Sequence, residues 1–374
     1  CRRAPASLRR ALAGLDETLW AQGQVAMLLA LTEARRALSL PGRERRRTCG
    51  RLARSFGPPE KPPAREADPE AWAHPRLELG NAYLQLPAGD PSTSLLRAVS
   101  CYEAALAVYT EADHPSQWAT IHNNLAIAWG RLPTGDRKAN LGQAINSLEQ
   151  ATRVHTEQDH PDQWAAIQNN LGNAWSALGG DDDIRRAIQH FENAARVYTE
   201  EALPLDHAMV HNNLGNAWMR LTAGDRADNL RRAIENHQQA LAIWTERDNP
   251  EDWAGAQHNL GYAWSELGEI GEPGALQRAV ECYQAALRVR SEATSPADWA
   301  HTQADLGAVL VAIAGREGDQ ETLGRAAECL RGALQVFTAE QFPDDHAETA
   351  ELLAKVEQAL DSRQSEGQSA AKAE

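Results

Sequence analysis

The stretch PDQWAAIQNNLGNAW, residues 161–175, places two tryptophans and three asparagines within fifteen residues. Tryptophan favours burial, whereas two adjacent asparagines weaken an isolated helix. In a helix, residues three, four and seven apart share one face. The stretch therefore predicts a helix with two different faces, one apolar and one lined with carboxamides.

This pattern recurs along most of the chain. We take the position of Trp164 as the anchor of each repeat. From the first anchor, Trp72, to the last, His346, successive anchors are 46, 46, 43, 46, 46 and 47 residues apart. A leucine stands seven residues after every anchor, and an aromatic residue stands eleven after five of them. Internal repeats of this length are typical of stacked arrays of small structural units. The anchors are Trp72, Trp118, Trp164, His207, Trp253, Trp299 and His346.

A second amphipathic pattern follows each of the first six anchors, as in AIENHQQALAIW at residues 233–244. Its apolar positions have helical spacing. Turn-rich loops such as LTAGDRADN at 221–229 lie between the two patterns, and their acidic residues are expected to cap the second helix. Prolines just before the anchors favour a helix start there. Each repeat is therefore predicted to be helix, turn, helix, turn.

The pattern Leu-Gly-x-x-Tyr/Trp, followed by Ala-x-x-x-Tyr/Phe/Leu-x-x-Ala, resembles the tetratricopeptide repeat. Its usual unit of about 34 residues would be lengthened by about six in the inner loop and about six at the junction. The stretch GDRADNLRRAIENHQQALAIWTERDNPEDWAGAQHNLGYAW, residues 224–264, is similar to the long repeats of bacterial proteins that carry CHAT protease or related signalling domains. The resemblance implies an all-α fold, a right-handed superhelix (α-solenoid) of helix-turn-helix repeats.

We expect five regions along the chain. Residues 1–57 form a basic helical segment, which could consist of divergent capping helices, and residues 58–71 form a proline-rich linker or loop. Six long repeats occupy 72–345, a capping helix occupies 346–360, and 361–374 form a disordered tail.

Charge and cysteine usage limit the partners and the compartment. The net charge is −15, although residues 1–57 carry an excess of eight positive charges, so the remainder is strongly acidic. This argues against nucleic-acid binding except through the basic residues 43–54. Five cysteines without a CxxC spacing favour a reducing, cytoplasmic setting. No apolar run approaches the roughly 20 residues of a membrane span.

The resemblance also implies candidate ligand contacts, because the first helices of tetratricopeptide repeats line a concave groove. A carboxamide can donate to and accept from a peptide backbone of any sequence. Alternatively, the asparagines satisfy backbone groups between repeats without any ligand. The candidate peptide-binding residues are Asn124, Asn170, Asn213, Asn259, Asn173, Asn216, Arg131, Arg220 and Tyr262.

No catalytic, phosphate-binding or metal-binding motif stands out in the sequence, so we expect neither an enzyme nor a cofactor. The function expected is a protein–protein interaction module that binds a peptide or protein segment, as a scaffold or adaptor. One alternative is a sensor or regulatory domain that controls an effector, such as a CHAT-type protease, on the same or another chain. Another is architectural self-assembly.

Overall fold

The computed structural model describes the backbone of residues 68–85 and 91–371, and side chains as far as residue 362. Thirteen α-helices, and no strand, occupy this part of the chain, which confirms the all-α prediction. The helices are α1 (Pro69–Gln85), α2 (Pro91–Leu106), α3 (Pro115–Arg131), α4 (Arg137–Thr152), α5 (Pro161–Leu178), α6 (Asp181–Ala195), α7 (Pro204–Arg220), α8 (Arg226–Ile243), α9 (Pro250–Glu269), α10 (Ala275–Leu287), α11 (Pro296–Glu317), α12 (Gln320–Val336) and α13 (Pro343–Ala371).

The helices divide into two compact units after Leu178. The N-terminal unit contains α1 to α5, and the C-terminal unit contains α6 to α13. Within each unit, every helix packs against the next helix along the chain. In addition, α1 contacts α3 and α3 contacts α5, while α7 contacts α9, α9 contacts α11 and α11 contacts α13. The first helices of successive repeats are therefore neighbours within each unit.

The loop residues begin the helices as expected. Proline occupies the first turn of α3, α7, α9 and α11, where its missing N–H costs nothing. The second helices α4, α8 and α12 follow Asp136, Asp225 and Asp319, whose carboxylates accept hydrogen bonds from first-turn backbone N–H groups. The capping role predicted for the acidic loop residues is confirmed at these three helices.

The small residue eight positions after the anchor allows the two helices of a repeat to approach closely. A Cβ on Gly80 would lie 2.7 Å from the ring of Tyr102, and one on Gly215 would lie 2.6 Å from the imidazole of His237. Both opposing side chains are fully buried. The large residue of the second helix therefore fills the space that the missing side chain leaves.

The helix boundaries differ from the sequence prediction at both ends of the array. Helix α1 begins at Pro69, inside the predicted linker 58–71, because the Asp68 carboxylate accepts a hydrogen bond from the backbone N–H of Ala71 at 3.0 Å. Helix α13 continues to Ala371 through most of the tail predicted to be disordered, 361–374. Six of the eleven residues 361–371 are alanine, glutamine, glutamate or arginine, which favour helix.

The predicted segment 1–57, with its basic residues 43–54, lies outside the described residues. None of the described helices is both long enough and apolar enough to cross a bilayer.

Candidate peptide-binding site

A pocket of about 260 Å³ lies in the N-terminal unit between α3, α4 and α5. It is smaller than the roughly 300–1,000 Å³ sites that hold drug-sized ligands, so it suits one or two side chains of a longer ligand. No aspartate or glutamate lines it. Arg131, Arg137, Asn170 and Asn173 form its polar rim, and its apolar lining includes Ala126, Ile127, Leu141, Ala144, Leu148, Ala174 and Ala177.

The loop between α3 and α4 places the two arginines. Gly135 adopts a left-handed conformation with a φ of 84°, which lets the chain turn before Asp136 caps α4. One Arg137 Nη1–H donates to the carbonyl of Gly130, at 2.6 Å, in the last turn of α3. A guanidinium has five N–H donors, so most of those on Arg137 remain available. Neither arginine forms an ion pair with another described residue.

The asparagines of the opening motif connect successive repeats. Asn170 Nδ2 donates to Asn123 Oδ1 at 2.9 Å, and Asn124 Nδ2 donates to Asn81 Oδ1 at 3.0 Å. In the C-terminal unit, Asn259 Nδ2 donates to the Oδ1 of Asn212 at 3.3 Å. These side-chain pairs are the bracing that the ligand-free alternative anticipated, although the bonds join carboxamides rather than backbone groups. Asn170 keeps its Oδ1 as an acceptor on the pocket rim.

Three of the nine predicted site residues, Asn170, Asn173 and Arg131, meet in this pocket. Asn124 lies on α3 and does not line it. The remaining five belong to the C-terminal unit, where Tyr262 is the most exposed aromatic, at 42%. Sequence reasoning missed Arg137, whose signal was its recurrence as Arg226 at the same position of a later repeat. The five are Asn213, Asn216 and Arg220 on α7, and Asn259 and Tyr262 on α9.

The corresponding place in the C-terminal unit, between α7, α8 and α9, also has two arginines, Arg220 and Arg226, but a glutamate pairs with one of them. Arg226, the counterpart of Arg137, also donates to a last-turn carbonyl, that of Met219. Its Nη2 lies 3.0 Å from Oε2 of Glu266, which occupies the position of Ala177 in the pocket. Tyr262 occupies the position of Asn173. The Glu266 carboxylate therefore neutralises Arg226, whereas Arg137 has no such partner among the described residues.

The contact between α9 and α11 uses titratable groups at the positions of the asparagine braces. His258 Nε2 lies 3.5 Å from Asp305 Oδ2, and His258 Nδ1 lies 3.2 Å from the Thr302 hydroxyl. Thr302 donates its own proton to the carbonyl of Asp298 at 2.7 Å, so His258 Nδ1 must carry the proton it shares with Thr302. His258 Nε2 is then an acceptor, and it can receive a proton from Asp305 only when that carboxyl is protonated.

Burial is the largest influence on the protonation of both groups. It raises the pKa of Asp305 to about 6, against the lowering effects of His301 and Arg290. It also lowers the pKa of His258 to about 3, and Arg290 and His301 act in the same direction. The threonine, histidine and aspartate resemble a nucleophile–base–acid chain. However, Thr302 is 0% exposed, so a substrate has no access to its hydroxyl and the network acts as a brace.

Comparison with known proteins addresses the fold. No protein-family model and no curated protein matches the chain. The solved structure of a Rap protein complexed with competence and sporulation factor matches it with a TM-score of 0.54 and 12% identity, over 95% of this chain and 91% of that one. The chain has a tetratricopeptide-like helical-repeat fold. At this identity, the likeness extends to the fold alone.

Two further solved structures are less similar. BtubC from P. vanneervenii matches with a TM-score of 0.44 and 23% identity, over 74% of this chain and 92% of that one. The human IFIT1 dimer with m7Gppp-AAAA matches with a TM-score of 0.45 and 16% identity, over 88% of this chain and 71% of that one. Neither carries an inference about the site.

Proposed function

We propose that this protein binds a peptide or protein segment and that the pocket between α3, α4 and α5 holds one or two of its side chains. The observation that carries the proposal is an apolar, partly buried lining surrounded by two arginines and two carboxamides. Such a mixture supplies both the apolar burial and the few oriented polar groups that recognition sites use. The protein would act as a scaffold or adaptor.

The polar rim matches the needs of a peptide backbone. Asn170 Oδ1 can accept an N–H from the ligand, because its Nδ2 is held by Asn123. Asn173 is exposed and can both donate and accept. Each hydrogen bond contributes about 0.5–1.5 kcal/mol net, and burial of one leucine side chain contributes about 1.5–3 kcal/mol. These contributions suit a weak anchoring contact, so tight binding requires further contacts along the ligand.

Control of a separate effector, such as a CHAT-type protease, follows only from the sequence resemblance and stays a prediction. The described residues offer no group of three or more histidine, cysteine, aspartate or glutamate side chains arranged for a metal ion.

Selection from a random-peptide display library tests the proposal. We expect enriched peptides to bind the Asn173→Tyr variant at least about tenfold more weakly than the native protein, because a tyrosine ring on the pocket rim would occupy space that the ligand needs. The matched control is Gln163→Tyr, which adds the same ring at an exposed position of α5 outside the pocket. Equal binding by all three proteins, or no enrichment, would show that the pocket is not a peptide site.

A further inference from the structure

We infer that the segment held by the pocket between α3, α4 and α5 carries a carboxylate beside an aliphatic side chain. The inference rests on the proposed function and specifies the chemistry of its ligand. Three observations support it. The pocket is positively charged, the equivalent arginine of the C-terminal unit forms an ion pair, and the residues that line the two places differ.

The pocket is positively charged in a chain whose net charge is −15. Arg131 and Arg137 both line it, and no acidic side chain does. Arginine binds carboxylates through parallel N–H groups in a planar fork, and these charge-assisted hydrogen bonds are about twice as strong as neutral ones. An anionic ligand group is therefore favoured over a neutral or cationic one.

The C-terminal unit shows where a carboxylate lies against this arginine. Arg226 and Arg137 occupy the same repeat position, and both donate to a carbonyl in the last turn of the preceding helix. Glu266 approaches Arg226 to 3.0 Å, but its counterpart in the pocket is Ala177, which has no polar side-chain atom. A carboxylate from the ligand would supply in the pocket the group that Glu266 supplies internally.

The lining specifies the neighbouring group on the ligand. Ile127 and Leu148 line the pocket, whereas Asn216 and His237 hold the equivalent positions of the C-terminal unit. Leu141 is apolar and buried, as is its counterpart Leu230. At these two positions the pocket is apolar and its counterpart is polar, and both apolar side chains line the pocket together with the arginines. Glutamate or aspartate next to leucine, isoleucine or valine matches this arrangement.

Titration of the full chain with two short peptides tests the inference. The probes are Ac-Gly-Leu-Glu-Gly-NH2 and the same peptide with glutamine, followed through the Nε–Hε resonances of the arginine side chains by NMR. We expect the glutamate peptide to shift the Arg131 and Arg137 resonances with an affinity at least about fivefold higher than that of the glutamine peptide. The difference should shrink as salt is added.

Two variants at one exposed position of α5 separate charge from bulk. Ala177→Glu would provide the carboxylate internally, as Glu266 does, and should reduce binding of the glutamate peptide by at least about tenfold. Ala177→Gln has nearly the same size and should bind at least about threefold more tightly than Ala177→Glu. Helix content measured by circular dichroism checks that both variants fold.

The remaining outcomes are distinct. Equal affinity for the two peptides would overturn the carboxylate inference and leave the proposed peptide-binding function intact. Arginine resonances that move with neither peptide would also overturn the inference, while the display selection reports separately on the function. The phosphoserine peptide Ac-Gly-Leu-pSer-Gly-NH2 is a third probe. If it binds about tenfold more tightly than the glutamate peptide, the ligand group is a phosphate and the inference is wrong.

Discussion

Two helix junctions of this protein share a backbone plan and differ in their charges. Between α3, α4 and α5, Arg137 faces a pocket without an acidic side chain. Between α7, α8 and α9, Arg226 pairs with Glu266, and Tyr262 stands where the pocket has Asn173. Repetition preserves the arginine and its backbone contact, whereas one side chain of the next helix determines whether its charge is satisfied. The unsatisfied copy is the better candidate for ligand binding.

The largest difference in stability should come from the contact between the two helices of each repeat. Gly215→Ala places a methyl group 2.6 Å from the buried His237 ring, so we expect it to lower the free energy of unfolding by about 1–3 kcal/mol. In the N-terminal unit, alanine already occupies the equivalent position as Ala126, opposite Leu148. Urea denaturation of Gly215→Ala measures the effect. A stability equal to that of the native protein would mean that the two junctions tolerate the same packing.

Removing the arginine at this repeat position should lower the free energy of unfolding more in the C-terminal unit than in the N-terminal unit. Arg226→Ala leaves the Glu266 side chain, which is 32% exposed, without its partner, whereas Arg137→Ala leaves no carboxylate behind. We expect about 1–2 kcal/mol for Arg226→Ala and about 0.5–1 kcal/mol for Arg137→Ala, because both lose the carbonyl contact and only one loses an ion pair. Urea denaturation of both variants compares them. A larger loss for Arg137→Ala would mean that it has a carboxylate partner after all.

The asparagine braces should be worth similar amounts in the two units. Asn170→Ala and Asn259→Ala each remove one cross-repeat hydrogen bond, so we expect each to lower stability by about 0.5–1.5 kcal/mol. Thermal denaturation monitored by circular dichroism would show this. Asn173→Ala is the control, since its exposed side chain braces no other described residue, and its melting temperature should stay within about 1 °C of the native value. If Asn170→Ala also melts unchanged, the brace contributes nothing measurable.

The titratable brace should make its junction sensitive to pH. Because the folded-state pKa of Asp305 is raised to about 6 from its ordinary 3.8, its stabilising contribution is complete below pH 3.8 and lost as the pH rises through 6. Asp305→Asn can donate to His258 Nε2 as the neighbouring asparagines donate to theirs. Since the Asp305 side chain is 37% exposed, solvent screens the effect, and we expect a gain of at most about 1 kcal/mol at pH 8.

The difference in unfolding free energy between Asp305→Asn and the native protein is measured from pH 4 to pH 8. Taking the difference separates the titration of Asp305 from that of the buried histidines, which both proteins share. This subtraction is needed because burial lowers the pKa of His237 to about 3, and the fold is therefore destabilised as the pH falls below 6.5. A constant difference across the range would show that Asp305 does not take up a proton in the folded state.

The sequence was sufficient to predict the helix hairpins. It assigned all nine candidate residues to one groove, whereas only Asn170, Asn173 and Arg131 line the pocket. Tryptophan and leucine recur with the period of the repeat, and this periodicity determines which helix faces are buried. The repeat pattern could not show that Asn124 and Asn259 each donate a side-chain hydrogen bond to the preceding repeat, because this pairing depends on how successive hairpins stack. Nor did it single out Arg137, because its significance depends on the absence of an acid at Ala177, in the next repeat.

The most direct test of the account moves the carboxylate from one junction to the other. A variant that combines Ala177→Glu with Tyr262→Asn and Glu266→Ala gives each junction the charges of the other, and Ac-Gly-Leu-Glu-Gly-NH2 is titrated against it by NMR. The account predicts that the peptide no longer shifts the Arg137 resonance and shifts that of Arg226 instead, with a lower affinity because Asn216 and His237 replace the apolar Ile127 and Leu148. A peptide that still binds at Arg137 with native affinity would contradict the claim that an unpaired arginine defines the site.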